Sequence, residues 1–150
     1  MKLLGVIFLA LLLLSGCTTV SKNVKLVTEN SNEAAVLLVY RESAFQAGAV
    51  SLYIGKNDEY FLELANDEFG LVKIDAGKYF IQAKASGSPS SEIEVDLVAN
   101  QTTCLASIPN PEMLGATIIP LVANMVPTFV LEKVTCPSEE ALKNLSRVGL

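Results

Sequence analysis

Glu92-Ile93-Glu94-Val95-Asp96-Leu97-Val98 is the stretch on which the fold turns. Acid and apolar residues alternate without a break, and a period of two belongs to a β-strand with one face in a core and one in solvent. Ile93, Val95 and Leu97 point inward, and Glu92, Glu94 and Asp96 outward. The residues before it, Ser86-Gly87-Ser88-Pro89-Ser90-Ser91, are loop formers. Tyr79 to Ala85 then forms the partner strand of an antiparallel hairpin. A loop centred on Ser88 sets Tyr79 opposite Leu97, Ile81 opposite Val95 and Ala83 opposite Ile93, with Lys84–Glu92 and Gln82–Glu94 outside. A slip of one residue would bury three carboxylates, so this register is expected to be strongly fixed.

The same reading extends in both directions. Ala34 to Arg41 is a continuous apolar run, suited to a strand central in a sheet. Val50 to Ile54 and Tyr60 to Leu64 flank Gly55-Lys56-Asn57-Asp58-Glu59, a turn-forming segment, and read as a second hairpin. Alternation puts Val50, Leu52, Ile54, Tyr60, Leu62 and Leu64 inward, and Tyr53, Phe61 and Glu63 outward. Phe69 to Asp75, Thr102 to Ile108 and Thr128 to Val134 complete the strands. Helical spacing occurs only near the end: Glu139 and Glu140 suit a first turn, and Ala141, Leu142 and Leu145 make one stripe, so Ser138 to about Arg147 is expected to be a short amphipathic helix. The expected fold is all-β, a single antiparallel β-sandwich of about seven to eight strands with a short C-terminal helix.

The N-terminal segment has a different character. Lys2 precedes an apolar run, Leu3 to Leu14, about a dozen residues long, the size of a secretory h-region and too short to span a bilayer. It ends in Leu14-Ser15-Gly16-Cys17, which resembles the lipobox of bacterial lipoproteins. That resemblance implies cleavage after Gly16 and diacylglycerol on Cys17. Each buried methylene contributes about 0.8 kcal/mol, and two or three acyl chains hold a protein firmly at a membrane without spanning it. Thr18 is not the aspartate that retains lipoproteins at the inner membrane. The resemblance therefore implies, in a Gram-negative source, the periplasmic face of the outer membrane. The expected organisation is signal peptide 1–16, lipidated tether 17–33 and β-sandwich domain 34–150.

Lys2 leaves with the signal, so ten basic and sixteen acidic residues remain, a formal charge of −6. An acidic chain with no basic run argues against a nucleic-acid partner. The mean hydropathy of +0.43 is inflated by the signal. With Cys17 acylated, Cys104 and Cys136 form an even pair in an oxidising compartment and are expected to be disulfide-bonded. A bridge closing about 33 residues would stabilise the fold by roughly 3–4 kcal/mol in the chain-entropy account.

The stretches Ala34 to Val36, Tyr40-Arg41, Gly70-Leu71-Val72, Ala76 to Ile81 and Glu139-Glu140-Ala141 resemble a family of small bacterial lipoproteins of unknown function. Their domain is similar to the PEGA and carboxypeptidase-regulatory type of β-sandwich. The resemblance spans about residues 34–145. It implies fold and anchoring, and neither an activity nor catalytic residues. The chain departs from the pattern at 112–127, which is more apolar.

No constellation of residues points to catalysis. The chain has no histidine to serve as a base, no Ser-x-x-Lys motif and no glycine-rich phosphate loop. No metal site and no cofactor are expected, since the paired acids Asp58-Glu59 and Asp67-Glu68 sit in turns without a calcium-loop pattern. Two features offer a candidate binding surface: outward aromatics at Tyr53 and Phe61, for which cover by a second sheet or the terminal helix is the plainer reading, and the uncharged segment containing Met113, Leu114, Ile118 and Ile119. Pro120, Pro127 and Asn124 argue against that segment spanning a membrane, and a buried crossover is the plainer reading. The expected function is a non-catalytic binding or scaffold module of the cell envelope, held to the membrane by its lipid, with an envelope protein as a partner. The alternatives are a carrier of a small apolar ligand or lipid and, less in keeping with the residues, an envelope enzyme.

Overall fold

A computed structural model describes residues 33–44, 49–113 and 125–148. Among the described residues nine strands, β1 (Ala34–Arg41), β2 (Leu52–Lys56), β3 (Glu59–Leu64), β4 (Glu68–Asp75), β5 (Gly77–Ala85), β6 (Ser90–Leu97), β7 (Thr102–Pro109), β8 (Phe129–Val134) and β9 (Ser146–Val148), form two sheets, with a short helix, α1 (Glu139–Leu142), near the C-terminus. The five-stranded sheet has the order β8-β7-β1-β4-β9 and the four-stranded sheet β3-β2-β5-β6. The all-β sandwich expected from the alternation is the observed fold.

The apolar run Ala34 to Arg41 is central, as its two-sided apolarity requires. It pairs antiparallel with β4 and parallel with β7. A second parallel pair joins β4 to β9, so this sheet is mixed, whereas the four-stranded sheet is wholly antiparallel. Between the sheets, Leu37, Val39 and Leu105 face Leu52, Ile54, Ile81 and Val95, all buried. Arg41 ends β1 inside this layer and is 1 % exposed. Its guanidinium donates to the carbonyls of Val50 and Leu64 and lies 4.5 Å over the Phe129 ring.

Three expectations need correction. The hairpin of β5 and β6 keeps every predicted face, but its register is displaced by two residues. Tyr79 pairs with Val95, Ile81 with Ile93 and Gln82 with Glu92. The cause is the turn. Gly87 adopts φ +75°, and the Ser88 N–H donates to the Ala85 carbonyl at 3.2 Å. The chain therefore reverses about Gly87, which tolerates positive φ, rather than about Ser88.

In the hairpin of β2 and β3, Asn57 and Asp58 both have positive φ. They form a two-residue turn, and pairing continues to Lys56–Glu59. A bulge then intervenes: Ile54 pairs with Leu62 but Gly55 with Tyr60, leaving Phe61 as the extra residue. Beyond it the face is inverted. Phe61 packs against the core cluster, and Tyr60 joins Tyr53 on the outer face.

The C-terminal helix is shorter than its stripe suggests. Ser138 caps it, its Oγ accepting from the Ala141 N–H at 3.2 Å, and α1 ends at Leu142. A single turn with no buried residue lacks the packing that sustains a helix. The chain instead continues into β9, where the Ser146 N–H donates to the Asp67 carbonyl at 2.8 Å. Residues 135–145 thus link β8 at one edge of the five-stranded sheet to β9 at the other. The inner face is filled by the second sheet, so the crossing takes the outer face, where Leu38, Phe69 and Ala106 are buried. The disulfide Cys104–Cys136, with Cα atoms 5.1 Å apart, fastens the start of this strap to β7.

Two predictions follow from this packing. Val95, 1 % exposed, replaced by Asp would bury an unpaired carboxylate at a cost of several kcal/mol, comparable with the stability of a small domain. Val95→Asp should unfold the domain while Glu94→Lys, on the exposed face, leaves its circular dichroism spectrum and melting curve nearly unchanged. Native, unreduced protein should show no reactive thiol at Cys104 or Cys136, and Cys104→Ser should lose about 3 kcal/mol in urea titration.

Candidate binding surface

The outer face of the four-stranded sheet is built from all four of its strands, by alternation and, at Tyr60, by the bulge. β2 contributes Tyr53 and Gly55, β3 contributes Tyr60 and Glu63, and β5 contributes Lys78, Phe80, Gln82 and Lys84, with Glu92, Glu94 and Asp96 from β6 beside them. The ladders arrange these in rows: Glu63, Tyr53 and Lys84 in one, Tyr60, Gly55, Gln82 and Glu92 in the next, then Phe80 with Glu94, and Lys78 with Asp96.

Gly55 shapes the middle row. A Cβ there would stand 2.8 Å from Cδ1 of Tyr60, so the tyrosine ring occupies the space a side chain would need. The ring is 6 % exposed. It meets Tyr53 edge-on, with centroids 6.3 Å apart, and lies 5.9 Å below Nζ of Lys84. Its hydroxyl is buried and accepts or donates no hydrogen bond. Burial, with the nearby carboxylates of Asp58 and Glu92, raises the phenol above its ordinary value of 10.0. Gln82 beside it is fully engaged: Nε2 donates to Oε1 of Glu92 at 2.6 Å, and Oε1 accepts from the Asp58 N–H at 2.8 Å. The amide thus ties the β2–β3 turn to β6.

The residues singled out from sequence are scattered. Tyr53 is half-buried on this outer face, while Phe61 turns to the core margin because of the bulge. Met113 follows β7 in the other sheet, its N–H donating to the Asn110 carbonyl at 3.0 Å. Leu114, Ile118, Ile119 and Cys17 lie outside the described residues. Phe80, 58 % exposed, was not singled out, although the phase of Tyr79 to Ala85 already puts it outward with Gln82 and Lys84. Tyr60 could be recovered only by suspecting a bulge at Gly55.

No strand or helix among the described residues packs extensively on this face. Its groups are carboxylates, an amide, ammonium groups and aromatic rings, which suit binding. Among the described residues no three side chains are grouped to hold a metal ion, and no helix is long and apolar enough to cross a membrane. Comparison with known protein families, curated proteins and solved structures finds no match to this chain.

The Tyr60 hydroxyl supplies a prediction. Removing a buried hydroxyl without a partner relieves its desolvation cost, so Tyr60→Phe should be stabilised by about 1 kcal/mol. The raised phenol also fixes a sign. The fold favours the neutral phenol, so its contribution is full below pH 10 and is lost as pH rises through the folded-state value. Urea titrations between pH 9 and 11 should show a shallower alkaline loss of stability for Tyr60→Phe than for the parent. A variant destabilised by more than 1 kcal/mol would contradict this account.

Proposed function

We propose that the chain is a lipid-anchored, non-catalytic binding module of the bacterial cell envelope. The observation that carries this reading is the ordered series Lys2, the apolar run Leu3 to Leu14, and Leu14-Ser15-Gly16-Cys17. Its resemblance to a lipobox supports acyl chains on Cys17 and, with Thr18 next to it in a Gram-negative cell, an address on the periplasmic face of the outer membrane. Two further features support it. The Cys104–Cys136 disulfide suits an oxidising compartment. The two-sheet architecture is in keeping with the PEGA-like lipoprotein family that the sequence resembles, in which the sandwich surface rather than a catalytic centre would meet the partner, an envelope protein or another component of the wall.

The test is to express the full chain and its Cys17→Ser variant in a Gram-negative host. The parent should incorporate labelled fatty acid and partition with membranes into detergent. Cys17→Ser should incorporate none, and should either leave the membrane fraction or accumulate as unprocessed precursor. Equal labelling and equal partition of the two would refute the anchor.

A further inference from the structure

We propose that the outer face of the four-stranded sheet binds an extended, uncharged polysaccharide, laid along β5 between Tyr53 and Phe80. This deepens the binding-module reading and rests on it.

Four observations lead to this ligand. The first is the spacing of accessible rings. Phe80 is 58 % exposed on an interior strand, and Tyr53 is half-buried, with part of its ring accessible, on the neighbouring strand. Tyr53 pairs with Lys84, so the two aromatic positions are four residues apart along the strand and one strand apart across it. Strand geometry makes that about 14 Å, a span of a few linked pyranose rings. The apolar C–H faces of such rings stack on aromatic side chains, which bring large contact area at little entropic cost.

The second is what lies between the rings. The Gln82–Glu92 pair occupies the intervening row, and Lys84 borders it. Gln82 is buried and committed to Glu92 and the Asp58 N–H, so its part is to hold Glu92 in place. The exposed carboxylates of Glu92 and Glu94 supply acceptors and the Lys84 ammonium supplies donors, as a run of hydroxyl groups requires. The Asp58 N–H and Tyr60 hold these side chains in place before any ligand arrives.

Charge is the third. Glu63, Glu92, Glu94 and Asp96 outnumber Lys78 and Lys84 on this face, which repels nucleic acid and other polyanions. The fourth is shape and availability. A sheet face that no described element covers accommodates a polymer lying along it better than a small molecule needing enclosure.

The experiment uses the full acylated chain in detergent. Isothermal titration with the neutral hexamer of N-acetylglucosamine should give saturable binding. Tyr53→Ala and Phe80→Ala should each weaken it at least tenfold, with melting temperatures close to the parent. Met125→Ala, which removes an exposed side chain beside the other sheet, should leave it unchanged. Absence of saturable binding to both the hexamer and a second neutral polymer, a β-glucan, overturns the proposal. So does binding that survives the double variant Tyr53→Ala/Phe80→Ala. Binding of a lysine-rich peptide instead, abolished by Glu92→Gln and Glu94→Gln but indifferent to Phe80→Ala, also overturns it while leaving a binding module intact. Failure of the anchor would appear separately, in membrane partition of Cys17→Ser.

Discussion

The buried guanidinium of Arg41 is the contact on which the sandwich depends. A charge enclosed between two sheets is tolerated only where hydrogen bonds and favourable fields replace water. Here the carbonyls of Val50 and Leu64 and the face of Phe129 do so. Burial pulls the guanidinium below its usual range, while Asp67 and Glu68 pull the other way, and it remains a cation at any ordinary pH. Val50 precedes β2, Leu64 ends β3 and Phe129 begins β8. One side chain from the central strand therefore sets where the first hairpin and the last long strand meet it. Asn66 works beside it on the exposed side, its Oδ1 accepting from the Ala44 N–H at 3.3 Å.

Once those ends are fixed, the two outer faces diverge. The five-stranded sheet carries Leu38, Phe69 and Ala106 outward, an apolar set that solvent would disfavour, and the C-terminal strap crosses that side. The strap's helix is too short to hold itself, so the Cys104–Cys136 bridge and β9 at its two ends hold it in place. The four-stranded sheet needs no such cover. Its outward residues are charged, amidic or aromatic with polar neighbours, and the bulge at Phe61 removes one apolar ring from it while adding Tyr60. A single extra residue thus decides whether the middle of that face is bare backbone at Gly55 or a packed ring joining β2 to β5.

How much of this is legible in the sequence depends on which physical rule governs each element. Period-two alternation is a local property, so the strands and their faces could be read, with β6 the clearest. Arg41 could be read as a strand end but not as a clamp, because its partners are 9 and 23 residues away. The β5–β6 register failed by two residues because either reversal point keeps the same faces, and only the conformation of Gly87 distinguishes them. The Tyr60–Phe61 inversion is invisible to alternation by its nature, since a bulge breaks the period of two itself. β9 is three residues long and draws its stability from β4, which no pattern within Ser146 to Val148 records. The disulfide was legible because it follows from parity and compartment rather than from geometry.

The proposed anchor bears on how strong any surface contact has to be. β1 begins immediately after Glu33, whose carbonyl accepts from the Ala76 N–H at 2.8 Å. Sixteen residue steps separate Glu33 from Cys17, a reach of at most roughly 55 Å. Strands of eight or nine residues are about 30 Å long, so under the proposed anchor that sequence distance exceeds the length of the sandwich. Confinement within that reach of a membrane raises the effective concentration of anything else held near the same surface. Under the proposed anchor, a flat face with two rings and a few hydrogen-bonding groups would not need the deep enclosure that high intrinsic affinity demands, because proximity would offset weak contacts.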